Sequence, residues 1–151
     1  MDPDANRQSW AERSGEFSPE YYAGIGENEV SDALATVLEY YVSTDAAILE
    51  VGCSSGRHLE YLRRAGFENL TGIDINDESF EVMSERYPTL AETGNFRTGA
   101  IEDIVPKFDD DTFDVVYSVE TLQHIHPDDA WVFEELARVT GDLLITAENE
   151  G

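Results

Sequence analysis

The run Ile48-Leu49-Glu50-Val51-Gly52-Cys53-Ser54-Ser55-Gly56-Arg57-His58-Leu59 constrains the fold more tightly than any other stretch of this chain. Ile48, Leu49 and Val51 make a short apolar strand. Gly52 and Gly56 let the backbone turn sharply and approach a ligand with no Cβ in the way, and a helix begins just beyond. Strand, glycine turn and helix in succession form the junction at which α/β proteins hold a nucleotide-like cofactor. Glu50 is out of character there. An acid inside an apolar strand is costly unless it has a partner, so its presence predicts a role at the strand's exposed end.

The rest of the chain repeats the alternation of strand and helix. Residues 1 to about 26 are polar and aromatic, with Trp10, Phe17, Tyr21 and Tyr22 among prolines and glycines, and read as an N-terminal arm. Val30, Leu34, Val37, Leu38 and Tyr41 recur at helical spacing from Glu29 to about Ser43, and the first strand follows over Ala46 to Val51. Leu59, Leu62 and Ala65 mark a helix stopped by Gly66. Asn69 to Asp74 is the second strand. Asn76 or Asp77 can cap a helix carrying Phe80, Met83 and Tyr87, which Pro88 ends. Phe96 to Gly99 is a short third strand, and Ile101 to Val105 is at most one helical turn. Thr112 to Ser118 has the near-continuous apolar character of a strand covered on both faces. Pro127 opens a helix holding Trp131, Phe133, Leu136 and Val139, Gly141 closes it, and Leu143 to Ala147 is the fifth strand.

Strands alternating with helices predict an α/β fold: an open, doubly wound, mainly parallel sheet with helices on both faces. At 151 residues the chain is the size of one domain. The expected organisation is an arm and helix over residues 1–45 covering the site, and a core over residues 46–151.

Charge excludes some partners. Thirty-three acids against nine basic residues give a formal charge of −24, and Lys107 is the only lysine. Such a surface repels phosphate backbones and anionic membranes, so neither nucleic acid nor membrane is expected as a partner. The acids are spread along the chain rather than gathered in a tail, which favours adaptation to a salt-rich cytoplasm. Cys53 is the only cysteine, so no internal disulfide forms and a reducing, cytoplasmic setting is expected. No leader or long uncharged apolar run is seen in the sequence.

In a doubly wound sheet the ligand sits beyond the carboxyl ends of the strands. Glu50 and Gly52, Asp74, Ile101 and Glu102, and Ser118 to Glu120 all fall at such ends. Asp74 lies 22 residues beyond Gly52, the separation at which an acid on the next strand accepts hydrogen bonds from ribose hydroxyls. Its competing role is a cap for the helix that follows. A dinucleotide fingerprint needs glycine at the first, third and sixth positions of the turn, where this chain has Gly52, Ser54 and Arg57. The P-loop pattern also fails, since no Gly-Lys-Ser/Thr follows. An adenosine cofactor without a diphosphate fits better.

From about Ala46 to Ala147 the chain resembles the class I S-adenosylmethionine-dependent methyltransferases, a Rossmann-like family. Glu50-Val51-Gly52-Cys53-Ser54-Ser55-Gly56 is similar to the family's acidic-x-Gly-x-Gly-x-Gly loop, with Ser54 where the middle glycine is usual. Phe113-Asp114-Val115-Val116-Tyr117-Ser118-Val119-Glu120 resembles the fourth strand, and Leu122-Gln123-His124-Ile125 the segment behind it. The resemblance implies strand order 3-2-1-4-5 and a cofactor seat made by Glu50, Gly52, Cys53, Ser54, Gly56, Asp74 on the ribose, and Ile75 beside the adenine. It also implies an adenine contact in Gly99-Ala100-Ile101-Glu102-Asp103, where Ala100 stands at the usual aspartate and Glu102 or Asp103 substitutes. Arg57 from the first helical turn and Ser118 complete the expected seat, with Tyr21, Tyr22 and Trp10 as an aromatic cover suited to a sulfonium methyl. No metal-ligand set is read.

The implied activity is methyl transfer from S-adenosyl-L-methionine, giving S-adenosyl-L-homocysteine, to a small-molecule acceptor. A non-catalytic module that binds either form of the cofactor is the alternative, favoured by Ser54 and Ala100. Methyl transfer is an in-line displacement whose rate comes largely from alignment, and a base is needed only if the acceptor must lose a proton. His124, Glu120 and His126 are the candidates for that base. The family's final β-hairpin, strands 6 and 7, has no counterpart before Gly151. Leu143 to Thr146 would then be an apolar edge, so either the chain is cut short or a second chain, in a homo-oligomer or with another partner, covers it.

Overall fold

The structure, a computed structural model, describes residues 29–119, 121–122 and 125–147. Tyr21 and the N-terminal arm, Glu120, Gln123 and His124 lie outside these residues. In chain order the elements are α1 (Glu29–Tyr41), β1 (Ala47–Val51), α2 (Arg57–Arg64), β2 (Asn69–Asp74), α3 (Glu78–Arg86), α4 (Pro88–Thr93), β3 (Asn95–Thr98), α5 (Ile101–Ile104), β4 (Phe113–Val119), α6 (Val132–Val139) and β5 (Thr140–Ala147). Single 3-10 turns occupy Val105–Lys107 and Pro127–Asp129.

The five strands form one sheet in the order β3-β2-β1-β4-β5. Every pairing is parallel, with Ile48 opposite Leu70 on one side and Val115 on the other. Both faces are covered, which is why β1 and β4 read as unbroken apolar runs rather than alternating ones. Alternate side chains divide the core in two. Ile48, Leu70, Val115 and Tyr117 pack with Leu34 and Leu38 of α1, Leu59 and Leu62 of α2, Met83 of α3 and Leu90 of α4. Leu49, Val51, Ile73 and Val116 pack on the opposite face with Ile101 and Ile104 of α5 and Val132, Leu136 and Val139 of α6.

Three expectations are corrected. Pro88 ends α3 and also occupies the first position of a further helix, α4, after a break at Tyr87 (φ −132°, ψ 66°). A ring-locked φ and a missing N–H suit the first turn of a helix as well as they forbid its interior. The helix expected from Pro127 begins only at Val132, and Pro127 opens a 3-10 turn instead. Its buried face is Val132, Leu136 and Val139, spaced by four and three residues, which leaves Trp131 and Phe133 43% and 45% exposed. Gly141 does not close that helix; it lies inside β5, which starts at Thr140.

Among the described residues no helix is long and apolar enough to cross a membrane.

Candidate functional site

At the carboxyl edge of the sheet, β1 runs into the turn of residues 52–56. Gly52 (φ 71°), Ser54 (φ 51°) and Gly56 (φ 88°) all adopt left-handed backbone. Glycine takes that conformation without strain, whereas Ser54 holds it with a Cβ in place. The turn is anchored on β2, since the Gly52 and Cys53 amides both donate to the Ile73 carbonyl, at 2.8 and 2.9 Å. The amide of Gly56 then closes back on the Cys53 carbonyl at 3.0 Å, and α2 begins.

Asp74, the last residue of β2, joins the two strand ends. Its Oδ2 accepts the Ser54 amide at 2.8 Å, and its Oδ1 accepts the Asn76 amide at 2.8 Å and the Ser79 hydroxyl at 3.0 Å. Burial pushes this carboxyl above its ordinary range, and the three donors pull it partly back. The helix that follows is not capped by Asp74, since the Glu78 amide at its start donates to Asn76 Oδ1 at 3.0 Å and Asp74 takes only the Ser79 hydroxyl from that helix. A carboxylate has about four lone-pair directions, so three donors leave room for another on Oδ2.

Glu50 is placed otherwise than expected. It is 2% exposed and does not reach an open strand end. Its partner is Tyr117, directly opposite in the β1–β4 register, whose hydroxyl donates to Oε1 at 2.9 Å. Burial raises the Glu50 carboxyl well above the carboxylate range; the Tyr117 bond and the Arg57 charge oppose that, and Asp74 adds to it. Tyr117 was missed by reading its strand as merely apolar. The signal was available, since a buried phenol normally finds an acceptor for its O–H.

The two glycines that open and close the turn have protein against their bare faces. A Cβ on Gly56 would meet Met83 Cε at 2.8 Å and Leu90 Cδ2 at 2.9 Å, so its lack of a side chain admits the α3 and α4 layer. Thr121, from the segment after β4, packs on Gly52 in the same way. Cys53 is buried, with its thiol pushed well up by burial and by the nearby acids, and behaves as a small packing residue beside Gly72.

The remaining expected residues are distributed around the same edge. Ile75 and Glu102 are half-buried, and Ile101 is buried in the second core cluster after the Ala100 cap of α5. Arg57, half-buried at the start of α2, is close enough to act electrostatically on both Glu50 and His58. Ser118, near the end of β4, is 1% exposed, and its Oγ has no hydrogen-bond partner among the described residues. An orphaned buried hydroxyl at this edge is what a ligand-contacting group looks like before its ligand is present. His126 is a helix-capping residue here: its Nδ1 accepts the Asp128 amide at 3.1 Å. Among the described residues no three His, Cys, Asp or Glu side chains converge to hold a cation.

The chain matches the family profile described as "Methyltransferase domain" over residues 49–142, more than half its length. It is 36% identical over 104 residues to 2-methyl-6-phytyl-1,4-hydroquinone methyltransferase of Synechocystis, covering 67% of this chain and 31% of that protein. It is 30% identical over 116 residues to the eEF1A lysine and N-terminal methyltransferase of Xenopus laevis, covering 77% of this chain and 16% of the relative. The chain thus spans less than a third of the length of either. Its backbone is also similar to that of the [4+2]-cyclase SpnF, with a TM-score of 0.58 at 19% identity, over 72% of this chain and 40% of the other. Sheet order, the glycine turn and the sequence match agree, and the chain belongs to the methyltransferase domain family.

Proposed function

We propose that this chain binds S-adenosyl-L-methionine at the carboxyl edge of the sheet and transfers its methyl group to a small-molecule acceptor. The observation that carries the reading is the Asp74 to Ser54 hydrogen bond of 2.8 Å, which welds the end of β2 to the glycine turn and leaves a carboxylate position open. The donor and acceptor set fits such a ligand. Asp74 offers an acceptor to ribose hydroxyls, and the orphaned Ser118 hydroxyl offers a further hydrogen bond at the β4 end. Ile75 supplies an apolar wall for adenine, and the segment of Ile101 and Glu102 reads its edge. The turn from Glu50 through Cys53 and Ser54 to Gly56 underlies the amino-acid portion, with Arg57 as the partner of its carboxylate.

When bound, the cofactor supplies a methyl group made electrophilic by the sulfonium. This chain's part is to hold that group in line with the acceptor and to surround it with acids, since Glu50 and Asp74 favour positive charge. In this reading a cover for the site of the 46–151 core is the role assigned to residues 1–45, of which 1–28 lie outside the described residues, and His124 and Glu120 are the groups to test should the acceptor need a base. The acidic surface disfavours nucleic acid as acceptor and suits a salt-rich cytoplasm. The edge of β5, where Leu144 is 40% exposed, is a place for a further strand or a second chain.

A second reading, a module that binds the cofactor without methyl transfer, is supported by Ser54 in left-handed backbone where the family's middle glycine is usual and by Ala100 at the usual aspartate. Calorimetric titration in high salt with S-adenosylhomocysteine and with NAD tests the seat. Binding of the first is expected; affinity for NAD alone would overturn the reading. Labelled S-adenosylmethionine offered with a broad set of acceptors then separates the two versions, since binding with no transfer favours the module. An Asp74→Ala variant that bound as tightly as the wild type would remove the ribose assignment.

A further inference from the structure

We infer that Tyr117 is a positioning residue which holds the Glu50 carboxyl under the glycine turn and, through it, makes the site prefer the cationic cofactor over its neutral product. The inference rests on the reading of that turn as an S-adenosylmethionine seat. Its geometry is independent of any ligand. Glu50 and Tyr117 face each other in register on adjacent strands, 2% and 0% exposed, with 2.9 Å between Oε1 and the phenol oxygen. Glu50 is the penultimate residue of β1, two before Gly52, and the charges of Arg57 at the start of α2 and Asp74 at the end of β2 reach it.

A buried carboxyl with one neutral donor keeps its proton unless a positive charge comes near. The groups that act on Glu50 can be named element by element. Tyr117 on β4 donates to it, Arg57 at the start of α2 favours its ionised form, and Asp74 at the end of β2 opposes ionisation. Cys53 in the turn is itself held as a thiol by burial. From α1 and α2 the apolar Leu34, Ala35, Leu38, Leu59 and Leu62 pack in the same cluster, and the buried polar Ser31 and His58 of these helices are bonded to each other at 2.6 Å. Burial is the strongest influence and shifts the acid toward its protonated form.

Glu50 is thus a latent charge. A sulfonium above the turn favours its ionisation, whereas a thioether at the same place does not. The two forms of the cofactor share their nucleoside and amino-acid ends, so the ratio of their affinities isolates the sulfonium. Tyr117 keeps the carboxyl in place through the change, because its hydroxyl can donate to an acid's carbonyl oxygen and donates more strongly to a carboxylate.

The sign follows. As pH rises toward the range in which Glu50 of the free protein ionises, the sulfonium form gains affinity and the thioether form does not. The test is calorimetric titration of the full chain with S-adenosylmethionine and S-adenosylhomocysteine from about pH 5.5 to about pH 8.5, a span chosen above the ordinary carboxylate range. The wild-type preference for the sulfonium form is expected to rise by about tenfold or more across it, the size of effect a nearby charge exerts at intermediate dielectric. Glu50→Gln should abolish the rise. Tyr117→Phe should displace it to higher pH, because losing the O–H removes a group that favours the ionised form. A flat wild-type ratio, a rise that survives in Glu50→Gln, or an unmoved profile in Tyr117→Phe would each overturn the inference. Circular dichroism checks that the variants fold; should either fail, the wild-type profile alone decides. Failure of both compounds to bind wild type at any pH would instead remove the cofactor reading on which the inference stands.

Discussion

Thr121 packs against Gly52, with its hydroxyl donating to the Val119 carbonyl at 3.1 Å and more loosely to the Gly52 carbonyl at 3.4 Å. A Cβ on Gly52 would stand 2.8 Å from Thr121 Cβ, and nearer still to its methyl and hydroxyl groups. The exit of β4 is thereby locked to the exit of β1. In the proposed arrangement this contact couples the segment that would face an acceptor to the turn that would carry the cofactor.

Gly52→Ala should therefore destabilise the fold on two counts. Overpacking against Thr121 costs about 1–3 kcal/mol, and a Cβ in left-handed backbone costs about 1–2 kcal/mol more. Thr121→Ala in the same chain should restore part of the first cost and none of the second. Denaturant unfolding of the two single variants and the double variant gives the coupling directly. Additivity of the two substitutions would show that the contact is not the cause.

Ser54→Gly is expected to act in the opposite direction. Ser54 holds φ at 51° while its amide donates to Asp74, so the backbone shape is required whatever the side chain. Relief of about 1–2 kcal/mol of left-handed strain is offset by about 0.5–1 kcal/mol of lost chain restriction. A net gain of up to about 1.5 kcal/mol should appear in the denaturant midpoint. A loss of stability would mean that the Ser54 side chain contributes an interaction worth more than the strain.

The buried tie between α1 and α2 gives a pH dependence of definite sign. Ser31 Oγ and His58 Nδ1 share a hydrogen bond of 2.6 Å, and burial, aided by the Arg57 charge, pushes the imidazole down to about 3. The unfolded chain therefore binds a proton that the folded chain refuses, between the ordinary histidine value of 6.5 and about 3. His58 contributes stability that is present above this window and is lost as pH falls through it. At about 1.4 kcal/mol per pH unit the loss amounts to a few kcal/mol at most. His58→Gln should flatten the fall in unfolding free energy between about pH 6.5 and about pH 4, a window set by the histidine reference value. The carboxylates titrate in both proteins and cancel in the difference. Parallel curves would remove His58 as the cause.

Local patterns carried most of the fold into view. The β2 limits and the glycine turn were legible, because apolar periodicity and turn residues act over a few positions, whereas the sheet order was implied only by the family resemblance. Pro88 was ambiguous for a physical reason: the same ring ends one helix and starts the next. Trp131 and Phe133 misled because they are large and apolar, whereas the face of α6 is set by the spacing of Val132, Leu136 and Val139. At the site, Asp74 and the turn were found by spacing, but Tyr117, Ser79 and Thr121 were not. Their roles depend on which residue lies opposite which across strands and turns, and strand register is a tertiary property that no local pattern encodes.

The charge of −24 makes the last prediction, that salt stabilises this protein. Acids outnumber basic residues almost fourfold, so exposed carboxylates repel one another in the folded chain more than in the expanded one. The Debye length falls from about 10 Å at 0.1 M salt to about 3 Å at 1 M, and screening should remove most of that repulsion over this range. A counter-effect exists. Arg63 and Arg64 pair with Glu60, and Arg138 pairs with Glu135 and Asp110; salt weakens these pairs too. They are few against the surplus of acids, and exposed pairs contribute about 1 kcal/mol or less each. The melting temperature should therefore climb by several degrees between about 0.1 and 1 M potassium chloride and then level off, following the Debye length. A neutral osmolyte, which is excluded from the surface but screens nothing, should give a gradual rise without that plateau. A melting temperature that is flat or falls with potassium chloride would remove the salt-adaptation reading, and an osmolyte curve of the same shape would assign the effect to surface exclusion instead of charge.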